Sequence, residues 1–167
     1  MNTLRVYMVI FLLFLFSVSG STQELPQPVL KVTGEVIKTL SLQREDLQKL
    51  KLITATLKGK NGEVHKYGGV AVQDILEMAG VTMGKDLRGE NLAKYLLAKC
   101  ADGYKVVFTL AELDSSFTDR VVMLAYESSG KPLPTGIGPF RIVVPGEKKP
   151  ARSSFQVTEL VIRFAKE

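Results

Sequence analysis

The chain has 167 residues, 46% of them hydrophobic, with 22 Lys and Arg against 17 Asp and Glu for a net charge of +5. Apart from Lys148, Lys149 and Arg152 the basic residues are scattered and no basic stripe is interleaved with aromatics, which leaves nucleic-acid binding without support and the charge as an aid to solubility. Cys100 is the one cysteine, so no disulfide can form within the chain.

Arg5 is followed by an apolar run over residues 6–18, whose most polar members are Tyr7 and Ser17. A bilayer needs roughly 20 such residues. The run therefore reads as a secretory signal peptide over residues 1–20, cleaved before Ser21 behind the small residues of Val18-Ser19-Gly20. An uncleaved N-terminal anchor is the competing reading. No Cys lies near the cleavage point, which disfavours a lipid anchor, and no Arg-Arg pair precedes the run, which disfavours the twin-arginine route. The expectation is export by the general secretory route to the periplasm or the extracellular space, with no membrane contact beyond the signal peptide. Cleavage removes Arg5 and leaves 21 basic against 17 acidic residues, a charge of +4. The rest is one domain, large enough to hold a core without staples.

Residues 21–28, with Pro26 and Pro28, read as an extended lead-in to a domain over residues 29–167. Alternation predicts a strand over residues 30–36, with Gly34 marking a bulge or a close backbone approach. A second strand is expected over residues 37–40. Ser41 is placed to cap a helix reaching Lys51, with Leu47 and Leu50 on one face. Residues 52–57 alternate as a half-buried strand, and Asn61-Gly62 signals a hairpin into a strand over residues 64–67. Val72, Ile75, Leu76 and Ala79 recur at helical spacing, and Gly80 closes that helix. Residues 81–92 are polar and irregular, a surface loop. Strands over residues 95–100 and 105–108 flank Asp102-Gly103, and a turn of helix follows over residues 109–113. The continuous apolar run over residues 121–126 predicts a strand covered on both faces, ended by Ser128-Ser129-Gly130. Residues 140–144 and 157–164 are the last two strands. The reading is one α+β domain, strand-rich, with mixed sheets and a few short helices.

Five segments in order carry a resemblance: Tyr67-Gly68-Gly69 through Ala79-Gly80-Val81; Asp102-Gly103-Tyr104; Leu124-Ala125-Tyr126-Glu127; Gly130-Lys131-Pro132-Leu133-Pro134; and Gly138-Pro139-Phe140-Arg141-Ile142-Val143-Val144-Pro145-Gly146. In this order and spacing the chain resembles the molybdopterin-binding domain of the sulfite oxidase family, over roughly residues 29–164. The resemblance implies that family's fold and a cleft that holds molybdopterin. It also implies a molybdenum-ligating thiolate after the strand that precedes the Tyr-Gly turn. This chain reads Lys58-Gly59-Lys60-Asn61 there, with no Cys. The family's Lys-Trp pair, whose Lys helps hold the pterin phosphate, falls where this chain has Ser153-Ser154-Phe155-Gln156, so one charge-assisted contact is lost. Molybdenum cofactor is loaded in the cytoplasm, and the expected signal would thread the chain unfolded.

The candidate site residues are Arg141, Arg152, Tyr104 and Cys100. Arg141 interrupts an apolar strand and needs a carboxylate, a cage of carbonyls or an anionic ligand; an ion pair with Glu127 or Asp102 is the structural alternative. Arg152 with Lys148 and Lys149 forms either an anion-receiving rim or a solvated loop. Tyr104 and Tyr126 read as core aromatics sooner than as stacking platforms. Cys100 shares its strand face with Leu96 and Ala98, which favours a buried thiol over a metal ligand. His65, a single His beside a hairpin turn, makes no metal site and reads as an exposed strand residue.

Two functions of different class follow. In the first, the chain is an exported, cofactor-free relative that binds a small anionic ligand or another exported protein in the inherited cleft. A subunit of a larger exported complex is a version of it. In the second, it is a molybdopterin oxidoreductase with an atypical ligand set that uses Cys100. The residues favour the first.

Overall fold

Two five-stranded sheets are organised around a strand that is buried on both faces. The structure, a computed structural model, describes residues 29–59 and 61–165; the expected signal peptide and lead-in over residues 1–28 lie outside the described residues. In chain order the strands are β1 (Leu30–Gly34), β2 (Leu40–Leu42), β3 (Ile53–Lys58), β4 (Val64–Ala71), β5 (Lys94–Cys100), β6 (Lys105–Thr109), β7 (Met123–Ser128), β8 (Lys131–Pro132), β9 (Arg141–Val143) and β10 (Val157–Phe164). Two short helices, α1 (Arg44–Leu47) and α2 (Val72–Met78), lie between strands. Among the described residues no helix is long and apolar enough to cross a membrane.

The first sheet runs β2-β1-β10-β5-β6 and is mixed, since β1 and β10 pair in parallel and the other neighbours are antiparallel. The second runs β3-β4-β7-β8 with β9 beside β7, all antiparallel. The apolar run expected to be covered on both faces is β7. Its Leu124 and Tyr126 face the large core between sheets and α2, while Met123 and Ala125 join a smaller core with Tyr67, Leu133 and Val143. The strand starts two residues later than its sequence suggests, because Val122 spends its carbonyl on Val72 N at the head of α2.

The hairpins at Asn61-Gly62 and Asp102-Gly103 form as expected, and α2 ends at Gly80 with Val81 N returning to Leu76 O at 3.0 Å. Three expectations need correcting. The strand expected over residues 37–40 is displaced to Leu40–Leu42, because the Lys38 amide is used on the Ala79 carbonyl at the end of α2, at 3.1 Å. The helix expected from Ser41 to Lys51 is one turn, α1, begun by Gln43 and Asp46 in a capping box; Ser41 and Leu42 are held in β2 against β1. Strand pairing and burial of Leu42 override local helix signals here. The loop over residues 81–92 is not merely surface: Val81 and Leu87 enter the main core, and two 3₁₀ turns lie between Gly84 and Ala93.

Two glycines are demanded by geometry. Gly34 has φ +94° and its missing Cβ would fall on the Ile162 carbonyl of β10. Gly69 has no left-handed requirement, but a Cβ there would fall on the Leu124 carbonyl and within 2.6 Å of Ala125 Cα, where the β4–β7 register shifts. At Gly68 a Cβ meets the Glu127 side chain, 2.8 Å from Cγ, which can rotate away. Gly69→Ala is expected to cost about 3 kcal/mol by overpacking against backbone, a fall in Tm of about 10 °C. Gly68→Ala is expected to cost about 1 kcal/mol; thermal unfolding of the two variants separates backbone clash from side-chain clash.

Asp114 pins the long α2–β5 connection. It is wholly buried and accepts Ser116 N at 2.8 Å, Ser116 Oγ at 2.6 Å and Gly84 N. Burial alone would raise its pKa, but these donors hold the carboxyl below the usual carboxylate range. A depressed folded pKa means that this stabilisation is complete above the unfolded-chain value of about 4 and is lost as pH falls through the lower folded value. Asp114→Asn should therefore cost about 2 kcal/mol at pH 7, with the difference from wild type shrinking toward pH 2 in parallel urea titrations.

Candidate functional site

β9 makes the site because it ties the second sheet to the lead-in of β10. Ile142 N donates to Ser154 O at 2.9 Å, Val144 N to Ser153 Oγ at 3.0 Å, and Val157 N to Phe140 O at 2.9 Å. These bonds lay residues 153–157 along β9 and bring them to the mouth of a cleft of about 800 Å³. One wall is the β3–β4 hairpin with Leu57, Lys58, Gly59, His65 and Tyr67. The β5–β6 turn contributes Asp102 and Tyr104, the loop after β8 Pro134 and Ile137, and the segment before β10 Lys149, Pro150, Ala151 and residues 153–155.

Arg141 sits on this cleft and is 5% exposed. Its Nη1 donates to Tyr67 Oη at 2.6 Å and its Nη2 to Ser153 O at 3.1 Å. The Tyr67 and Phe155 rings each lie 4.5 Å from its Cζ. Its Nε is shielded from solvent and has no partner. The ion pair considered from sequence is not made: Glu127 pairs with Arg44 at 3.6 Å, and Asp102 accepts the Tyr104 amide at 2.9 Å. Among the described residues no carboxylate lies within ion-pair range of Arg141. Burial lowers its pKa, and Tyr67 only partly offsets this; a guanidinium nonetheless keeps its charge.

Arg152, read from sequence as part of either an anion-receiving rim or a solvated loop, is instead committed to an ion-pair knot. Its Nε donates to Glu147 at 2.8 Å and its Nη1 to Glu112 at 2.9 Å, Nη2 also bonds Glu147, and its Cζ lies 4.7 Å from the Phe108 ring. Arg120 approaches the same two carboxylates at 3.6 and 4.0 Å. This knot of two arginines and two glutamates leaves Arg152 off the cleft lining, whereas Lys149 is on it.

Tyr104 is not a core aromatic: it is 48% exposed, lines the cleft and donates its hydroxyl to Ala151 O at 3.0 Å. Tyr126 is buried in the main core, as expected. His65 is half exposed, 3.7 Å from Glu63, but it too faces the cleft. Lys58 was not legible as a cleft residue; the sequence cue was its place at the foot of the Asn61-Gly62 hairpin, and that gives no direction. Phe155 does not fill the cleft. It stands at its wall, 47% exposed, against Arg141.

Cys100 faces the main core on β5, 6% exposed, and does not line the cleft. Burial pushes its thiol pKa up, away from the thiolate that a metal needs. The cleft lining thus holds no thiol, and among the described residues no three of His, Cys, Asp and Glu cluster to hold a metal ion. Where the resemblance implies the ligand thiolate and the phosphate-holding pair, the chain reads Lys58-Gly59-Lys60-Asn61 and Ser153-Ser154-Phe155-Gln156. These donors do not fit a molybdenum held by a protein thiolate.

Comparison with known proteins agrees with the architecture. Residues 22–152, well over half of the chain, match the family model described as the oxidoreductase molybdopterin binding domain. The crystal structure of the sulfane dehydrogenase SoxCD from Paracoccus pantotrophus superposes with a TM-score of 0.63 at 26% identity, over 81% of this chain and 38% of that one. The chain therefore spans well under half of that relative's length. No curated protein matches the chain.

A buried, unligated thiol should resist alkylation. Cys100 in the native protein is expected to react with a maleimide at least 100-fold more slowly than in denaturant. Its slow rate should keep rising about tenfold per pH unit from pH 7 to 8.5 without levelling, because the raised pKa keeps the thiolate a minor species throughout; mass spectrometry of timed quenches reads both.

Proposed function

For a chain that belongs to the oxidoreductase molybdopterin-binding domain family, we propose a function without the cofactor: an exported binding domain that takes a small anion at Arg141. One observation carries this reading. A guanidinium removed from water, with two neutral acceptors, no carboxylate in range among the described residues and an unpartnered Nε, lies on the wall of an open cleft. A buried charge in that state is costly, and proteins normally pair it. Around it the lining carries Lys58 and Lys149 against one carboxylate, Asp102, so the cleft favours a negative occupant. The alternative of an atypical molybdenum site has Cys100 as its only thiol, and that thiol faces the core.

Two measurements test the reading. Protein purified from the exported fraction, from cells that load a control molybdoenzyme, is expected to carry neither molybdenum nor pterin; stoichiometric amounts of both would overturn the proposal. Arg141→Met should leave the ligand-free Tm equal or higher, since an unpaired buried charge is exchanged for apolar volume. It should also abolish stabilisation by anions, which for wild type is about 2.7 kcal/mol at a ligand concentration 100 times Kd. A large loss of ligand-free stability with anion response intact would make Arg141 a purely structural residue.

A further inference from the structure

The geometry points to an aryl anion, such as an aromatic carboxylate or sulfonate, as the ligand class of this cleft, with Phe155 as the ring it displaces from Arg141; this rests on the anion-binding reading above. The Arg141 guanidinium uses one of the two N–H groups on each Nη, for Tyr67 and Ser153, and its Nε–H is unpartnered but shielded. Two rings supply the remaining contact, each 4.5 Å from Cζ. They differ in freedom. Tyr67 is 5% exposed and locked by its hydroxyl, whereas Phe155 is 47% exposed.

The backbone around Phe155 is held on the side of β10. Gln156 N donates to Ile137 O at 3.0 Å, and Gln156 O accepts Ala101 N at 2.9 Å. The ring can therefore leave by side-chain rotation without moving the segment. Its departure exposes a cationic face that is already matched to an aromatic surface. An aliphatic anion neutralises the charge but leaves that face bare. An aryl anion restores the ring contact, adds the missing negative charge, and lays its apolar edge on Leu57, Pro134 and Ile137. Lys58 and Lys149 steer it in.

The closed Phe155 position reduces apparent affinity by the fraction of open protein. Removing the ring therefore raises affinity for a true ligand.

The experiment is calorimetric titration of the mature protein with four probes: acetate, benzoate, methanesulfonate and 1-naphthalenesulfonate. Each aryl probe is expected to bind at least tenfold more tightly than its aliphatic partner. Phe155→Ala should tighten aryl binding about threefold or more, and Arg141→Lys, which keeps the charge and loses the planar face, should cut the aryl preference. Equal affinity within each pair, or weaker aryl binding in Phe155→Ala, would overturn the aryl assignment and leave the anion reading standing. If none of the four binds either wild type or Phe155→Ala, the anion reading itself falls. Thermal unfolding of the variants without ligand confirms that both remain folded, which the exposure of Phe155 favours.

Discussion

The cleft depends on a full positive charge that the fold takes out of water with no carboxylate in ion-pair range among the described residues. Arg141 stands in a three-residue strand whose other members, Ile142 and Val143, are fully buried. The backbone bonds that carry β9 to residues 153–157 are also those that bring Ser153 and Phe155 to the guanidinium. A charge in such a place costs stability unless something neutral cages it or something negative joins it. Here the cage is partial: one phenol, one carbonyl and two rings.

The neighbouring charges show a contrast. Arg152 and Arg120 share Glu112 and Glu147, so the other arginines near the end of β6 are compensated within the chain. Arg44 pairs with Glu127 and lies 5.3 Å from the Tyr126 ring. Glu112, Glu127 and Glu147 are thus spent on other arginines, and among the described residues Asp102 is the one carboxylate residue on the cleft lining. Family membership accounts for the scaffold. The segments where the resemblance implies the ligand thiolate and the phosphate contact read Lys58-Gly59-Lys60-Asn61 and Ser153-Ser154-Phe155-Gln156, and neither contains a thiol. Function in such a fold belongs to the residues grafted on it.

Much of the architecture was legible because its signals are local. Alternation located β1 and β3 within one or two residues, and β10 was read as closely; Asn61-Gly62 and Asp102-Gly103 marked two hairpins, the second placing β5 and β6. The two-sided burial of β7 was readable from a run without polar interruption. Errors fell where a local signal met a distant claim. Ser41 is a good helix cap in isolation, yet β1 takes it into a strand; residues 81–92 look like solvent loop, yet Asp114 draws them inward. The site was legible in membership more than in arrangement. Arg141 and Tyr104 reach the cleft, Arg152 is diverted, and Cys100 faces the core as its alternating neighbours implied.

The sequence by itself determined the family, the strand-rich class and the absence of a thiol where a metal ligand would stand, because these follow from residue identity, spacing and period. Only the tertiary structure decided which partners the charges take. Arg141 and Tyr67 lie 74 residues apart along the chain, and Arg152 and Glu112 lie 40 apart. Such pairings are set by how the sheets stack and which carboxylate the packed fold leaves within reach, and no local pattern encodes that distance. Whether an arginine becomes a structural tie or an unpaired cation on a cleft wall is therefore a property of the packed molecule.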